Sequence, residues 1–409
     1  MSTHAAGLTS AEIDRRLVWR YIFAGLCASL VSIGLARFAF TPLIPELIQS
    51  HWFPATTVVY LGAANLAGYV LGALIGRRIA NWLTNERVLR LMMVLISLAF
   101  VACAYPLSFL WYFSWRFISG VAGGVVMVLL AGTILPHVPQ ARKGAAGGAI
   151  FLGLGLGIAG SGTLIPLLLK LGLAQTWIGL AAVSALLTAA SWFAWPSGKL
   201  AAKGVHAPTS THDMVRFGRA VRLLYGQYAL MVASAVPPMV FLVDFVTRGL
   251  GRSADQGALF WAIYGLGAIV GPPLYGYMAD RLRPRAVARA VCAAMMPVLA
   301  AFYITDNIYV LGILTLAIGT FAPGMVPLAL ACVHELVPHN GLRQNIAWTR
   351  ASIISAVALA IGAYGFSALY GATGGNHRVL FLTGAALLVL AILADLFGRA
   401  VPTQHGDYP

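Results

Sequence analysis

The chain has 409 residues, of which 60% are hydrophobic and only 10% are charged, whereas soluble domains carry about 25% charged residues. Its formal net charge of +15 would suit a nucleic-acid-binding protein, but the basic residues lie between long apolar runs, which excludes that interpretation. The composition therefore predicts a polytopic membrane protein whose surroundings are a lipid bilayer and which has no nucleic-acid partner.

Twelve apolar runs follow one another along the chain, each with about the 20 residues that a helix needs to cross a bilayer. We therefore expect an all-α protein with 12 transmembrane helices. The runs lie at about 20–48, 54–80, 88–106, 109–135, 144–169, 176–196, 224–247, 256–279, 286–304, 308–337, 346–370 and 378–398.

The basic residues are distributed unequally over the loops. Twenty of the 27 Lys and Arg residues lie in the alternate loops that include the N-terminus, and the other loops hold only Lys170, Arg248, Arg252 and Arg378. By the positive-inside rule, this predicts a multi-pass inner (plasma) membrane protein with both termini in the cytoplasm. Because the first 17 residues show no signal-peptide pattern, we expect the first run to stay in the protein as a signal anchor.

A polar stretch rich in Pro, Ser, Thr and basic residues divides the runs six and six, which is typical of a linker. We therefore expect five units: a cytoplasmic tail at 1–17, a bundle at 18–196, a linker at 197–223, a second bundle at 224–398 and a cytoplasmic tail at 399–409.

The two halves also carry matching residues. Gly68 and Gly72 precede Asn81 at the spacing with which Gly267 and Gly271 precede Asp280. Such internal repeats are characteristic of secondary transporters.

Three segments resemble the major facilitator superfamily. GYMADRLRPR at 276–285 resembles its signature between the second and third helices of each half, and WRFISGVAGG at 115–124 resembles its second signature. GLARFAFTPLIPE at 34–46 resembles the YbfB/YjiJ-type branch. The resemblance implies two pseudo-symmetric six-helix bundles, a central cavity lined by helices 1, 4, 7 and 10, and transport by alternating access.

The same resemblance implies a cytoplasmic gate at Gly276, Asp280 and Arg281. In the first half Asn81 replaces the expected Asp, so that half departs from the signature at this position. Glu335 and Arg350 lie near the same face. An ion pair in the gate is one interpretation of these two residues, and snorkelling of Arg350 to the interface is the other.

Other motifs do not predict their usual chemistry. GLGIAG at 155–160 matches a dinucleotide-binding pattern but lies in an apolar helical run, where glycines serve close packing. In HELVPH at 334–339 the second histidine comes five residues after the first, not four as in a zinc-binding HExxH motif, so both rings cannot share one helical face. The four cysteines lie in apolar runs without metal-ligand spacing. We expect no metal, no cofactor and no enzymatic activity.

Arginines within the apolar runs are the main candidates for substrate binding, because a charge near the bilayer centre costs roughly 2.5–3.5 kcal/mol. Arg37 lies about 17 residues, or roughly 25 Å, into the first run, and Arg116 lies at a similar depth in the fourth. We expect both to bind a carboxylate, with Thr41 on the face of Arg37 and Trp115 beside Arg116. The alternative is that structural partners neutralise both arginines.

Acidic residues are scarce in the runs expected to line the cavity. Glu46 ends the first run and Asp244 lies near the end of the seventh. Either carboxylate is a candidate for proton coupling, although both also suit ordinary helix-end positions.

The sequence thus predicts a monomeric secondary transporter that moves a small organic anion together with protons. One alternative is efflux of drugs or amphipathic solutes by proton antiport, for which Phe38 and Tyr228 would supply an aromatic cavity. The antiporter signature of the fifth helix is not matched, which argues against it. A non-transporting membrane receptor or membrane enzyme is a third interpretation.

Overall fold

The structure is a computed structural model that describes residues 10–196, 217–338 and 340–397. The regular secondary structure of these ranges is helical. His339, the last residue of the HELVPH motif, lies outside the described residues, as do residues 197–216 of the predicted linker over 197–223 and the predicted C-terminal tail.

The first half consists of six long helical segments, of which the first is interrupted. Helix α1 is an α-helix over Ser10–Ser29, a π-helix over Leu30–Leu35 and a last turn over Ala36–Phe38. Two short helices, Thr41–Leu43 and Ile44–Gln49, follow it. The next five are α2 (Ala55–Trp82), α3 (Asn85–Cys103), α4 (Phe109–Ile134), α5 (Lys143–Leu169) and α6 (Leu173–Ser191).

The second half repeats this arrangement. Helix α7 runs over Arg219–Gly249 and contains the π-helical segments Pro237–Phe241 and Phe245–Gly249. The other helices are α8 (Ala254–Arg281), α9 (Pro284–Ile304), α10 (Ile308–Gly319 and Phe321–Leu336), α11 (Gly341–Ala372) and α12 (His377–Phe397).

Equivalent helices of the two halves have equivalent neighbours. Helix α2 packs on α4 as α8 packs on α10, α1 packs on α5 as α7 packs on α11, and α3 packs on α6 as α9 packs on α12. Helices α5 and α8, and to a lesser extent α2 and α11, join the halves. The two bundles are therefore pseudo-symmetric, as the matching glycines predict.

Glycines permit the closest of these contacts. A Cβ atom on Gly68 or Gly72 would overlap the backbone of α4, and one on Gly267 or Gly271 would overlap the backbone of α10. Small residues of this kind let membrane helices approach at backbone distance. The matching residues of the two halves thus have matching packing roles.

Ten helical segments of the described residues are long and apolar enough to cross a membrane. Helices α2 and α3 are not among these ten, although they occupy the positions of the second and third predicted runs. The protein is therefore a multi-pass membrane protein, and the number of 12 crossings stays a prediction.

Several boundaries differ from the predicted ones. Helix α1 begins at Ser10, within the predicted tail, and α7 begins at Arg219, within the predicted linker. Helix α10 is interrupted at Thr320. Pro323 explains the interruption, because its ring clashes with the carbonyl group four residues earlier, at Gly319.

Candidate functional site

A central cavity of about 70 Å³ lies between the two halves. Helices α1, α2, α4 and α5 of the first half and α7, α10 and α11 of the second contribute to its wall. The lining residues are Ile33, Arg37, Phe38, Tyr69, Met127, Leu154, Tyr228, Val232, Ala235, Met239, Ala322, Pro323, Met325, Val326, Ser355 and Leu359.

Arg37 supplies the charged group of this wall. Its guanidinium carbon lies 5.3 Å from the ring centre of Phe38 and 5.9 Å from that of Tyr69. Among the described residues, Arg37 makes no ion pair and no side-chain hydrogen bond, and no acidic residue lines the cavity. The cavity is therefore electropositive.

The π-helical segment of α1 ends two residues before Arg37. The Ser32 hydroxyl donates to the Ala28 carbonyl oxygen at 2.5 Å, and the Ser29 hydroxyl donates to the carbonyl oxygens of Leu26 and Ile150. Side-chain bonds of this type compete with the backbone ladder and bend helices. In α7 the π-helical segment begins at Pro237, where the adjacent Pro237 and Pro238 lack backbone N–H donors.

Arg116 occupies a different environment. Its side chain is buried, its Nη1 donates to the Ala36 carbonyl oxygen at 2.8 Å, and its guanidinium carbon lies 4.2 Å from the ring centre of Phe40. Arg116 does not line the central cavity. It instead holds the end of α1, beside Arg37, against α4.

Trp115 and Thr41 also lie outside the cavity wall. The Trp115 ring packs edge-on against Trp111, with ring centres 5.7 Å apart. Thr41 begins the short helix that follows α1. The sequence-predicted group of four substrate-binding residues is therefore not assembled around one cavity, and Arg37 alone faces it.

The polar lining includes residues to which we assigned no site in the sequence. Tyr69 lies beside Arg37. Tyr228 and Ser355 line the cavity from α7 and α11, and the Ser355 hydroxyl donates to the Ser352 carbonyl oxygen of its own helix at 2.8 Å. Tyr228 stood out only as an aromatic residue of the seventh run. Tyr69 and Ser355 carry no charge and belong to no motif, so only the packing of α2 and α11 identifies them.

Asp244 forms a cluster near the end of α7. Its Oδ2 lies 2.5 Å from His377 Nε2 of α12, and its Oδ1 pairs with Arg248. His377 is buried and packs 4.7 Å from the ring centre of Tyr370. Sequence reasoning missed His377, because a single histidine at the start of an apolar run carries no spacing signal.

Glu46 lies apart from both groups. It belongs to the short helix Ile44–Gln49 and accepts a hydrogen bond from the Ser50 hydroxyl at 2.8 Å. It lines no part of the cavity.

Asp280 joins the two halves at the predicted cytoplasmic face. Its carboxylate accepts hydrogen bonds from the backbone N–H groups of Gly144 at 2.8 Å and Ala145 at 2.7 Å, at the N-terminus of α5. This carboxylate therefore neutralises the positive end of a helix in the other half. A Cβ atom on Gly276 would overlap the Gly144 carbonyl oxygen, so Gly276 permits this contact.

The remaining residues assigned to the gate have separate partners. The Arg281 guanidinium lies 5.1 Å from the ring centre of Tyr277. The Arg350 guanidinium lies 5.3 Å from the ring centre of Phe217. Glu335 accepts a hydrogen bond from the Arg285 backbone N–H at 3.0 Å. The structure thus brings Gly276 and Asp280 together with α5, whereas Glu335 lies against the start of α9.

Comparison with known proteins supports the fold independently. The structure resembles that of the proton:xylose symporter XylE bound to 6-bromo-6-deoxy-D-glucose, with a TM-score of 0.74, 16% identity and coverage of 93% of this chain and 95% of that one. It also resembles the human organic anion transporter MFSD10, with a TM-score of 0.71 and 16% identity; the match covers 93% of this chain and 99% of that one. For the Escherichia coli fucose:proton symporter FucP the TM-score is 0.66 at 13% identity, and the match covers 92% of this chain and 98% of that one.

Sequence comparison gives a relative and a family. The chain is 21% identical over 137 residues to the inner membrane metabolite transport protein YdjE of Escherichia coli K12, a match that spans 33% of this chain and only 30% of that relative. Residues 29–396 match the family model described as "Uncharacterised MFS-type transporter YbfB". The chain therefore belongs to the YbfB-type family of major facilitator superfamily transporters.

Proposed function

We propose that the protein transports a small organic anion across the inner membrane by alternating access, with protons as the coupling ion. The observation that carries this proposal is Arg37, a guanidinium that faces the central cavity without a carboxylate partner among the described residues. A guanidinium presents a fork of N–H donors that fits a carboxylate bidentately. A bound anion would satisfy donors that the protein leaves unpaired.

The same observation separates this proposal from efflux of cationic drugs. The apolar and aromatic wall would suit an amphipathic solute, so efflux of such a solute stays the second candidate. A cationic solute would, however, meet a positive charge and no carboxylate in the cavity. The charge of the wall thus favours an anion whichever the direction of transport.

Proton coupling is supported by the cluster around Asp244. Asp244 lies five residues after Met239 of the cavity wall, about 7 Å along α7, and it contacts the imidazole of His377 at 2.5 Å. A carboxylate and an imidazole in contact can exchange a proton. Two proteins of similar fold, XylE and FucP, are proton symporters. We therefore propose Asp244, rather than Glu46, as the proton-coupling residue.

For the remaining features we propose a monomer whose termini are cytoplasmic. We also propose that Gly276, Asp280 and Arg281 form part of a cytoplasmic gate. The contact of Asp280 with the N-terminus of α5 supports this role, because it joins the two halves at one face of the protein.

Uptake of radiolabelled small organic acids into proteoliposomes with an imposed pH gradient tests the function. Protein-free liposomes measure passive entry of the neutral acids. We expect at least one acid to be taken up by wild-type protein and not by the Arg37→Ala variant. The matched control is Lys170→Ala, which removes an exposed cation at the end of α5. Normal uptake by Arg37→Ala would contradict the proposal.

A further inference from the structure

The chemistry of the cavity wall narrows the class of anion further, if the proposed function holds. Of the sixteen lining residues, only Arg37, Tyr69, Tyr228 and Ser355 have nitrogen or oxygen in their side chains. The other twelve are aliphatic, aromatic, thioether or proline side chains. We infer that the substrate is a monocarboxylate whose carbon skeleton is apolar and carries few or no hydroxyl groups.

The charge of the substrate follows from the single guanidinium. A carboxylate bound to Arg37 would neutralise it, and a second carboxylate would have no cation to pair with in the wall. An unpaired charge in a largely apolar enclosure is strongly unfavourable. A dicarboxylate would therefore bind more weakly than a monocarboxylate of the same size.

The scarcity of hydroxyl and amide groups excludes heavily hydroxylated solutes. A sugar or sugar acid gives up hydrogen bonds to water at each hydroxyl group on binding, and each must be replaced. Besides Arg37, the wall offers only the hydroxyl groups of Tyr69, Tyr228 and Ser355, of which the last already donates its proton to the Ser352 carbonyl oxygen. Although two proteins of similar fold transport sugars, this cavity lacks the polar groups for one.

The apolar part of the wall is adaptable. Met127, Met239 and Met325 come from three different helices, α4, α7 and α10. Methionine is unbranched and polarisable, so it fills irregular gaps and makes favourable contacts with aromatic rings. The wall thus suits both a short aliphatic chain and a single aromatic ring.

The cavity also limits size. In this conformation the cavity has about 70 Å³, less than the roughly 150 Å³ of a cavity that takes up benzene, so the wall must move apart when an organic anion binds. A small anion, on the scale of benzoate or hexanoate, requires the least movement, with its carboxylate on Arg37 and its body among the methionines.

Thermal unfolding of the purified full-length protein with a panel of solutes tests the inference. The panel contains benzoate and hexanoate, the hydroxylated gluconate, the dicarboxylate succinate, the neutral isostere benzamide, and xylose. We expect benzoate and hexanoate to stabilise the protein at concentrations at least about tenfold lower than gluconate or succinate require. Benzamide and xylose should have no effect.

The outcomes separate this inference from the proposed function. Equal or stronger stabilisation by gluconate or succinate would overturn the apolar monocarboxylate and leave anion transport standing. Stabilisation by benzamide or xylose without any by the carboxylates would overturn both.

A substitution in the wall supplies a second test. Val232→Thr keeps the shape of the side chain but adds a hydroxyl group to the apolar wall, and we expect it to weaken benzoate binding relative to gluconate binding. The matched control is Val357→Thr on α11, which lies outside the wall and is exposed. An unchanged benzoate-to-gluconate ratio in Val232→Thr would contradict the inference.

Discussion

Two arginines within apolar helices differ in their partners, and this difference predicts opposite effects on stability. Replacing Arg116 by Met removes the hydrogen bond to the Ala36 carbonyl oxygen and the contact with Phe40, at a cost of about 2–3 kcal/mol. Replacing Arg37 by Met removes only longer ring contacts, at 5.3 and 5.9 Å. It also removes a half-buried cation without an ion-pair partner among the described residues, so the ligand-free protein should be equally stable or more stable. Thermal unfolding in detergent measures both. A loss of stability in Arg37→Met equal to that in Arg116→Met would identify Arg37 as a structural residue.

The sequence indicates the position of Arg37 but not the separate role of Arg116. Both stand out for the same reason, as charges within apolar runs at similar depth. Their roles differ because the Ala36 carbonyl oxygen lies within reach of Arg116, and that contact depends on how α1 ends and packs on α4. Tyr69 and Ser355 could not be predicted as cavity-lining residues. Uncharged polar residues are common in membrane helices, and only the packing of the helices shows which of them line a cavity.

At the scale of helices, the contact between α5 and α8 tests whether the GLGIAG segment serves packing. A Cβ atom on Gly155 would overlap the Ala268 carbonyl oxygen of α8, whereas one on Gly160 would meet no atom within 4 Å. We expect Gly155→Ala to lower the unfolding temperature and the transport rate. Gly160→Ala should leave both unchanged or slightly raise stability, because Ala favours helix by up to about 1 kcal/mol over Gly. Equal effects of the two substitutions would contradict this packing role.

The contact of Asp280 with the start of α5 predicts an effect on conformation. Asp280→Ala removes the acceptor of two backbone N–H groups at a helix N-terminus, which costs about 1–2 kcal/mol. If this contact closes the cytoplasmic face, the variant should open there more often. A cysteine introduced at Gly147 in a background without the four native cysteines should then react faster with a polar thiol reagent. Unchanged labelling with a normal fold would argue against a gate.

Element types follow from the sequence more readily than their interruptions do. The apolar runs predict the helices, but prolines alone do not predict the breaks, because α10 is interrupted near Pro323 whereas α8 continues through Pro272 and Pro273. The π-helical segment of α1 has no proline, and the hydroxyl bonds beside it include one from Ser29 to Ile150 of α5, a contact between helices distant in sequence that no local pattern indicates.

At the scale of the whole protein, Asp244 connects the cavity-lining helix α7 to α12. From this contact we predict that Asp244 couples transport to protons. Asp244→Asn keeps the size of the side chain but cannot take up and release a proton. We expect the variant to lose accumulation driven by a pH gradient and to retain exchange of substrate across the membrane without a gradient. Glu46→Gln is the control. Accumulation by Asp244→Asn at the wild-type level would show that a residue other than Asp244 couples transport to protons.

The helical major facilitator fold is confirmed, because apolar length and internal repetition dictate helices and their pairing. The shape of the cavity depends on both halves together, which is why the sequence does not predict that, of the four proposed substrate-binding residues, only Arg37 lines it.

The most direct test of the central claim is ligand-induced stabilisation of the wild-type protein and the Arg37→Met variant, measured with organic anions, amines and sugars. A ligand at 100 times its Kd stabilises a protein by about 2.7 kcal/mol. We predict that an organic anion raises the unfolding temperature of the wild type and of Lys170→Ala, and that Arg37→Met loses this response. An equal response in Arg37→Met, or stabilisation of the wild type by an amine or a sugar alone, would contradict the account.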